Sequence, residues 1–392
     1  MNIIFYRYNS ICEPDYIEAF KRLGVDIIED RDGMDNSLDI AVKLSKLGNM
    51  VSENRPLFIF SINYFPFLSI LCQRLGILYV AVSVDCPVFE IFHTSIRNRV
   101  NRVFLFDRQQ YLSVKDENPE CIFHLPLGSA CERTSALLGN EFKPQYDVSF
   151  IGSLYLEKDL FPDLRLDSDR KKRLLGMMED EIHSSVSGFG NLESFLTKED
   201  ETAIKAGAKE FYPSDQCVKD MDHFVVMNDY IAPHMAYLER VELLNDLGET
   251  LGKGRVHLFT RSDTSKISDK VMLHGGVKSL EEMPFVFRNG RINLNISLRS
   301  IQTGLPQRIW DVLACRGFLL TNYQDEITDY FTPGVHLETY ESRAELQEKI
   351  RYYLEHDEER ARIAQQGFDE VCAKHTVLMR VMEMIRIIMS GK

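Results

Sequence analysis

The stretch NGRINLNISLRSIQTGLPQRIWDVLACRGFLLTNYQDE, residues 289–326, constrains this chain more than any other. An apolar strand predicted at 292–296 runs into a polar loop carrying Ser297, Arg299, Ser300, Gln302, Thr303 and Gly304. The loop opens a helix predicted over 305–315, with Pro306 in its first turn, where the missing N–H costs little. A second buried strand is predicted at 318–321. Strand, glycine-containing loop, helix N-terminus and strand build an anion-binding corner, because unpaired N–H groups and the helix dipole aim at one spot. Arg299 and Arg308 bracket that corner, and Asp311 lies further along the helix, in reach of a hydroxyl. The corner suits a nucleotide diphosphate with its ribose. Any strand–helix–strand unit with polar loop residues is the plainer alternative.

The same alternation fills the chain. Strands are predicted at 2–6, 25–28, 57–62, 78–84, 103–106 and 122–125, with helices near 14–23, 39–48 and 65–75 between them. The pattern restarts with strands at 148–151, 256–259, 271–273, 292–296, 318–321 and 335–337. Unbroken apolar strands separated by helices imply parallel sheets covered on both faces. Between the first two strands of the second half, 170–186 and 235–252 place apolar residues at helical spacing. Helices near 342–354, 357–374 and 376–389 close the chain, and 128–145 reads as the linker. The expected organisation is a first doubly wound domain over 1–135 and a second over 146–375. A helical insertion at 156–250 belongs to the second, and a final helix in 376–392 returns to the first.

Composition sets bounds. The chain has 392 residues, comfortable for two domains, and 44% hydrophobic residues, enough for large cores. A net charge of −13 argues against a nucleic-acid-binding surface or a general membrane patch. No apolar run approaches a spanning helix, and no secretory signal opens the sequence, so a cytoplasmic location is expected. The eight cysteines form no C-x-x-C pair and read as reduced thiols. No G-x-G-x-x-G, P-loop, H-E-x-x-H or G-x-S-x-G occurs, which weakens dehydrogenase, P-loop, zinc-protease and serine-hydrolase readings.

Segment 292–331, INLNISLRSIQTGLPQRIWDVLACRGFLLTNYQDEITDYF, resembles the donor-binding segment of GT-B glycosyltransferases, specifically the family related to the spore-maturation protein CgeB. YDVSFIGSLY (146–155), VDCP (84–87) and EHDEERARIAQQGFDEVCAKHTVLMRV (355–381) fit the same family in the expected order. The likeness is dense over 255–381, patchier over 1–155 and weak between 156 and 250. It implies two Rossmann-like domains facing a cleft, and an enzyme moving a sugar from a nucleotide-diphosphate donor to a glycan or protein acceptor. A metal-independent mechanism without a cofactor is expected, because cationic side chains and helix dipoles meet the diphosphate.

The resemblance sets the backbone amides of Thr303, Gly304 and Leu305 on the diphosphate, Arg299 and Arg308 on its charge, and Asp311 on the ribose hydroxyls. The family's Glu-x7-Glu pattern is broken, with Thr303 at its first position and Asp311 at its second. Arg316 stands where the family has Gly, and a turn displaced onto Gly317 is expected. In HGGVKSLEEMP (274–284), Gly275, Gly276 and Val277 are candidates for meeting the base, while Ser279 and Glu282 suit a capping box. Gly152 and Arg261, at strand ends, are further donor-side candidates. Asp85, after a buried strand, is the candidate general base for the acceptor hydroxyl. His93, His124 and Asp107 are weaker alternatives, and Asp107 also suits a helix cap. DRD (30–32) and DSD (167–169) are spacing coincidences in polar turns, and no metal site is expected. Two rivals remain: a nucleotide-sugar epimerase on the same fold, and a binding protein that has lost the chemistry.

Overall fold

The computed structural model describes residues 1–139 and 143–390. The first sheet contains β1 (Asn2–Tyr6), β2 (Asp26–Asp30), β3 (Phe58–Ile62), β4 (Leu78–Val82), β5 (Asn101–Leu105) and β6 (Ile122–His124). The second contains β7 (Tyr146–Ile151), β8 (Val256–Phe259), β9 (Val271–His274), β10 (Gly290–Asn295), β11 (Leu319–Asn322) and β12 (Glu338–Tyr340). Strand order is β2-β1-β3-β4-β5-β6 in one and β12-β11-β10-β7-β8-β9 in the other, and every pairing is parallel. The order reverses between β1 and β3 and between β7 and β10. In such sheets ligands lie beyond the carboxyl ends of the strands at the reversal.

The central strands read as unbroken apolar runs because both faces are covered. All five residues of β3 are buried, as are Ile292 and Leu294 of β10. One predicted strand is displaced: residues 335 and 336 belong to a turn, Leu337 forms only an isolated bridge with Pro333, and the strand is β12, Glu338–Tyr340. The His336 N–H donates to the Thr332 carbonyl, and Gly334 takes φ 77°, so the chain turns there before it extends.

The turn at Arg316, expected to shift onto Gly317, stays in place. Arg316 itself adopts φ 53° and lays its guanidinium 4.2 Å from the Phe368 ring centroid. A left-handed residue other than glycine costs about 1 kcal/mol, which a cation–π contact offsets in part. Gly317 is required for space, since a Cβ there would come 2.8 Å from both the Asn293 amide nitrogen and the Phe287 carbonyl oxygen.

Between β7 and β8 run helices Ser168–Ser184, Gly190–Phe195, Lys198–Gly207 and Asp222–Val225, a π-helical turn Val226–Ile231, and helix Ala232–Leu251. Although inserted in the second half of the chain, these helices share a core with the first sheet. Phe161, Met178, Met221 and Tyr230 lie in one cluster with Tyr64, Ile91, Phe92 and Ile96. Backbone bonds join the Thr94 N–H to the Gln216 carbonyl and the Val218 N–H to the Phe92 carbonyl, each at 2.8 Å.

Helix Val377–Met389 packs Val381, Met384 and Ile388 against Phe20, Phe60 and Val82 of the first domain. The chain therefore passes between the domains twice, and the two passages touch, with the Ser129 N–H donating to the His375 carbonyl at 2.9 Å. Beside them Cys131 and Cys372 are joined as a disulfide, unlike the reduced state expected for all eight thiols. No helix among the described residues is long and apolar enough to cross a membrane.

His375 sits at this crossing against Trp310 and Phe331, its Nδ1 2.9 Å from the Arg380 guanidinium. Burial first, and then Arg380, lower its pKa to about 4. The unfolded chain takes up this proton near its ordinary pKa, so stability falls as pH drops from about 6.5 towards 4. The loss amounts to about 2 kcal/mol between pH 7 and 5. His375→Asn, which keeps an acceptor for Arg380, is expected to show a flatter urea midpoint across that range.

Candidate active site

Beyond β10 the chain forms a buried loop and enters helix Gln307–Ala314, whose N-cap is Pro306. The helix turns Ile309, Trp310, Val312 and Leu313 inward and leaves Arg308 and Asp311 half-buried towards the first domain. The Gln307 amide bridges the Asp311 carboxylate, at 2.9 Å, and the Gly128 carbonyl, at 3.1 Å. Burial raises the Asp311 pKa, opposed by Arg308, by the Gln307 bond and by Arg133. The cavity beside Asp311 has a volume of about 30 Å³ and is closed on the other side by Cys12, Asp15 and Arg133. A nucleotide cannot enter it unless the domains part.

Arg308 rests its guanidinium 5.0 Å from the Phe287 ring centroid, with Nη1 2.6 Å from the Met283 sulfur. Arg240, from helix Ala232–Leu251, lies at the reversal of the second sheet. It donates to the carbonyls of Ser153, after β7, and Ile296, after β10, at 2.7 and 2.6 Å. Its guanidinium lies 4.7 Å from the Tyr155 ring centroid, and its buried Nε has no partner. Among the described residues neither arginine has a carboxylate within ion-pair distance. Burial lowers both pKa values, and Arg240 is close enough to depress that of Arg308 further. Arg240, buried, and Arg308, half-buried, stand outside any such ion pair, although Glu239 lies near the first and Asp311 near the second, and together they favour an anion.

Other predicted residues land elsewhere. Arg299 is 1% exposed and faces away from the cleft. Its five N–H groups all have partners: Nε and Nη2 on Glu239, Nη2 and Nη1 on Ser185, and Nη1 on the Gly188 carbonyl. A guanidinium so saturated holds the helical segment in place and has no donor left for phosphate.

The amides of Thr303 and Gly304 do meet an anion, but it is the carboxylate of Asp107 from the first domain. Asp107 Oδ2 accepts from Thr303 N at 2.9 Å and Gly304 N at 2.8 Å, while Oδ1 caps helix Arg108–Leu112 by accepting from Gln110 N at 2.7 Å. Glu326, also fully buried, accepts from the Thr303 hydroxyl and the Arg108 N–H, both at 2.8 Å. His124 Nε2 lies 2.8 Å from its other oxygen, so His124 is part of this seam. Gly304 is needed there because a Cβ would come 2.7 Å from Asp107 Cα.

Gly152 continues the β7 ladder, its N–H bonded to the Phe259 carbonyl at 3.1 Å. Arg261 is exposed and lies over Gly276, where a Cβ would fall 2.3 Å from the arginine Cγ. Gly276 thus makes room for Arg261, and Gly275 is open to solvent. Val277 is half-buried in the core around Trp310. Ser279 does not cap the next helix. That helix begins at Met283, and Glu282 instead accepts from the Lys278 N–H at 2.8 Å.

Asp85 is exposed at the end of β4, followed by a cis Cys86–Pro87 bond. Its Oδ2 accepts from the Asn63 side chain at 2.6 Å. Asn63, at φ 58°, also donates to the Tyr8 hydroxyl and accepts from Val84 N, so it ties the ends of β1, β3 and β4 together. His93 is structural, its Nδ1 accepting from the Ser95 N–H at 3.0 Å. Among the described residues no cluster of three or more His, Cys, Asp or Glu side chains is placed to hold a metal ion.

The sequence reading missed Arg240, although a signal was present: with Glu239 beside it, it interrupts a helix face that carries Ala236, Leu243, Leu244 and Leu247. Nothing local marks the second oxygen of Asp107, or Glu326, as contacts across the domains.

Two doubly wound parallel sheets facing each other with this topology define the GT-B fold, and solved structures bear this out. A glycosyltransferase from Rickettsia africae aligns over 98% of this chain and 97% of its own, at 10% identity and TM-score 0.53. HepE from Anabaena, in complex with UDP, aligns over 100% of both chains at 11% identity and TM-score 0.51. Sucrose-phosphate synthase from Thermosynechococcus elongatus does so at 9% identity and TM-score 0.54, again over 100% of both chains. Residues 240–386 match the family model described as Glycosyl transferase-like. No curated protein matches the sequence.

The Asp107 seam has a measurable weight. Asp107→Ala leaves the Thr303 and Gly304 amides unpaired and uncaps a helix, and is expected to cost about 3 kcal/mol in urea unfolding. Asp107→Asn, which keeps an acceptor oxygen without the charge, is expected to cost about half as much.

Proposed function

We propose that this protein is a glycosyltransferase that takes a sugar from a nucleoside diphosphate donor and passes it to a hydroxyl of a glycan or protein acceptor. The observation that carries the reading is a pair of guanidinium groups outside any ion pair among the described residues, Arg240 buried beyond the ends of β7 and β10 and Arg308 half-buried beside Asp311. They meet the diphosphate, whose charge grows as the sugar–phosphate bond breaks, and stabilise the transition state there. Asp311, one helical turn from Arg308, takes the ribose hydroxyls. Because Asp107 fills the Thr303–Gly304 nest, the diphosphate is met by the arginines once the domains part, and Gly152 and the 275–277 loop lie on the donor's approach, whereas Leu305 is 2% exposed and belongs to the core around Trp310.

Donor entry requires the domains to part and close again, a common gating step in two-domain enzymes. Asp85 is exposed, lies across the cleft and is held by Asn63, which suits a base that takes the proton of the acceptor hydroxyl. The resemblance of 292–331 to CgeB-like enzymes favours a surface glycan or coat protein as the acceptor.

A thermal-unfolding screen against UDP, GDP, CDP, dTDP and pyrophosphate tests the reading. A ligand at 100 times its dissociation constant adds about 2.7 kcal/mol. A shift with one nucleoside diphosphate is expected, and no shift with any of them would count against the donor site. Arg308→Ala is expected to weaken both pyrophosphate and nucleotide about tenfold or more, and Asp311→Asn the nucleotide alone. Asp85→Asn is expected to abolish turnover while nucleotide affinity persists. Nucleotide binding without turnover on any acceptor would favour a binding protein that retains the fold, a reading that the protein-filled amide nest also suits.

A further inference from the structure

A second cavity, of about 310 Å³, lies where three parts of the chain meet. The first domain supplies the Cys86–Pro87 turn and Gln110, the helical segment supplies Phe224, Met227 and Asn228, and the loop after β10 supplies Ser300 and Gln302. Its size is at the lower end of ligand sites, which span roughly 300–1,000 Å³.

Two of its polar groups are orphaned. Gln110 is 6% exposed and Ser300 is 5% exposed, yet neither Gln110 Nε2 nor Ser300 Oγ has a hydrogen-bond partner. The Gln110 amide cannot flip to relieve this, because its Oε1 accepts from Val88 N at 2.9 Å. A buried donor and a buried hydroxyl left unpaired each cost about 1–3 kcal/mol, and a ligand with hydroxyl groups recovers that energy.

The remaining lining narrows the ligand's chemistry. No lysine or arginine among the described residues lines the cavity; His223 does, its pKa raised first by its bond to Glu193, but both its nitrogens are taken by Glu193 and Glu201, and the lining carboxylates Asp107 and Glu193 disfavour an anion. Both carboxylates are already engaged, Asp107 by backbone amides and Glu193 by His223 at 3.2 Å, so they do not call for a cation. Phe224, Met227 and Pro87 offer apolar surface to a ligand's C–H face, while Gln302 and Asn228 add amides. Met227 and Asn228 stand on the π-helical turn Val226–Ile231, a local widening often found at functional sites.

We propose that this cavity binds a neutral saccharide residue, the acceptor in the transfer reaction. The assignment rests on the glycosyltransferase reading for the word acceptor, but not for the saccharide. Cys86 and Pro87 directly follow Asp85, so a sugar held there brings a hydroxyl to the side of the cleft where the proposed base stands.

The test uses the whole chain and the methyl glycosides of glucose, galactose, N-acetylglucosamine and glucuronic acid, titrated by ligand-observed NMR and calorimetry. At least one neutral glycoside is expected to bind with a dissociation constant on the order of millimolar, and the glucuronide much more weakly. Ser300→Ala, which removes one unpaired hydroxyl, is expected to weaken binding about tenfold, and Gln302→Trp, which fills the mouth, to abolish it. Glycoside binding unchanged in both variants would overturn the proposal, as would equal binding of the glucuronide. A protein that responds to a nucleoside diphosphate but to no neutral glycoside also overturns it, and leaves the donor reading standing. Glycoside binding lost in the variants, with no nucleoside diphosphate response, upholds the saccharide site and removes the donor reading.

Discussion

The arrangement of the two sheets depends on one carboxylate. Asp107 lies two residues beyond β5, caps the helix that follows, and with its second oxygen holds two amides of the opposite domain. Ionised groups pay heavily for leaving water, and this one is fully buried, so it persists only because each oxygen is met by N–H donors. Glu326 repeats the device from the other side, on the Arg108 amide and the Thr303 hydroxyl. Together they bring the first domain's β4 and β5 ends against the loop after β10, and the larger cavity lies at that contact. The corner built to attract an anion is satisfied internally when the cleft is closed.

Much of the fold was legible because buried parallel strands announce themselves as apolar runs. The strand at 2–6 and that at 256–259 coincide with β1 and β8, and the helix ending the chain falls at Val377–Met389. What escaped was decided at long range. Arg299 sits in the loop where a phosphate cation is expected, but its partner Glu239 lies 60 positions away, and no local pattern reveals that pairing. The left-handed turn is a similar case: Gly317 has the freedom to take it, but Arg316 does, with its guanidinium on Phe368, and Gly317 instead leaves room for Asn293 and Phe287. Arg240 was the opposite case, a cation on an apolar helix face whose burial was readable and whose purpose was not.

The helical segment between β7 and β8 shows how sequence position and physical membership diverge. Its helices leave and rejoin the second sheet, yet their apolar faces fill against Tyr64, Phe92 and Ile96 of the first. Arg299 and Arg240 then tie its two ends to the β10 side, one through Glu239 and Ser185 and the other through strand-end carbonyls. The segment therefore spans the cleft's flank and forms a third wall that neither doubly wound unit has alone.

The double crossing of the chain near Ser129 and His375 has a mechanical meaning. A single tether would let two bodies swivel, twist and slide. Here two backbones lie side by side, bridged between Ser129 and Thr376 and cross-linked through Cys131 and Cys372. Two pins on one edge make a door: rotation about the line through them stays cheap, while torsion and shear are resisted. A domain opening about such a hinge would return the same faces to register, so that the Asp107 oxygen would find the same two amides again.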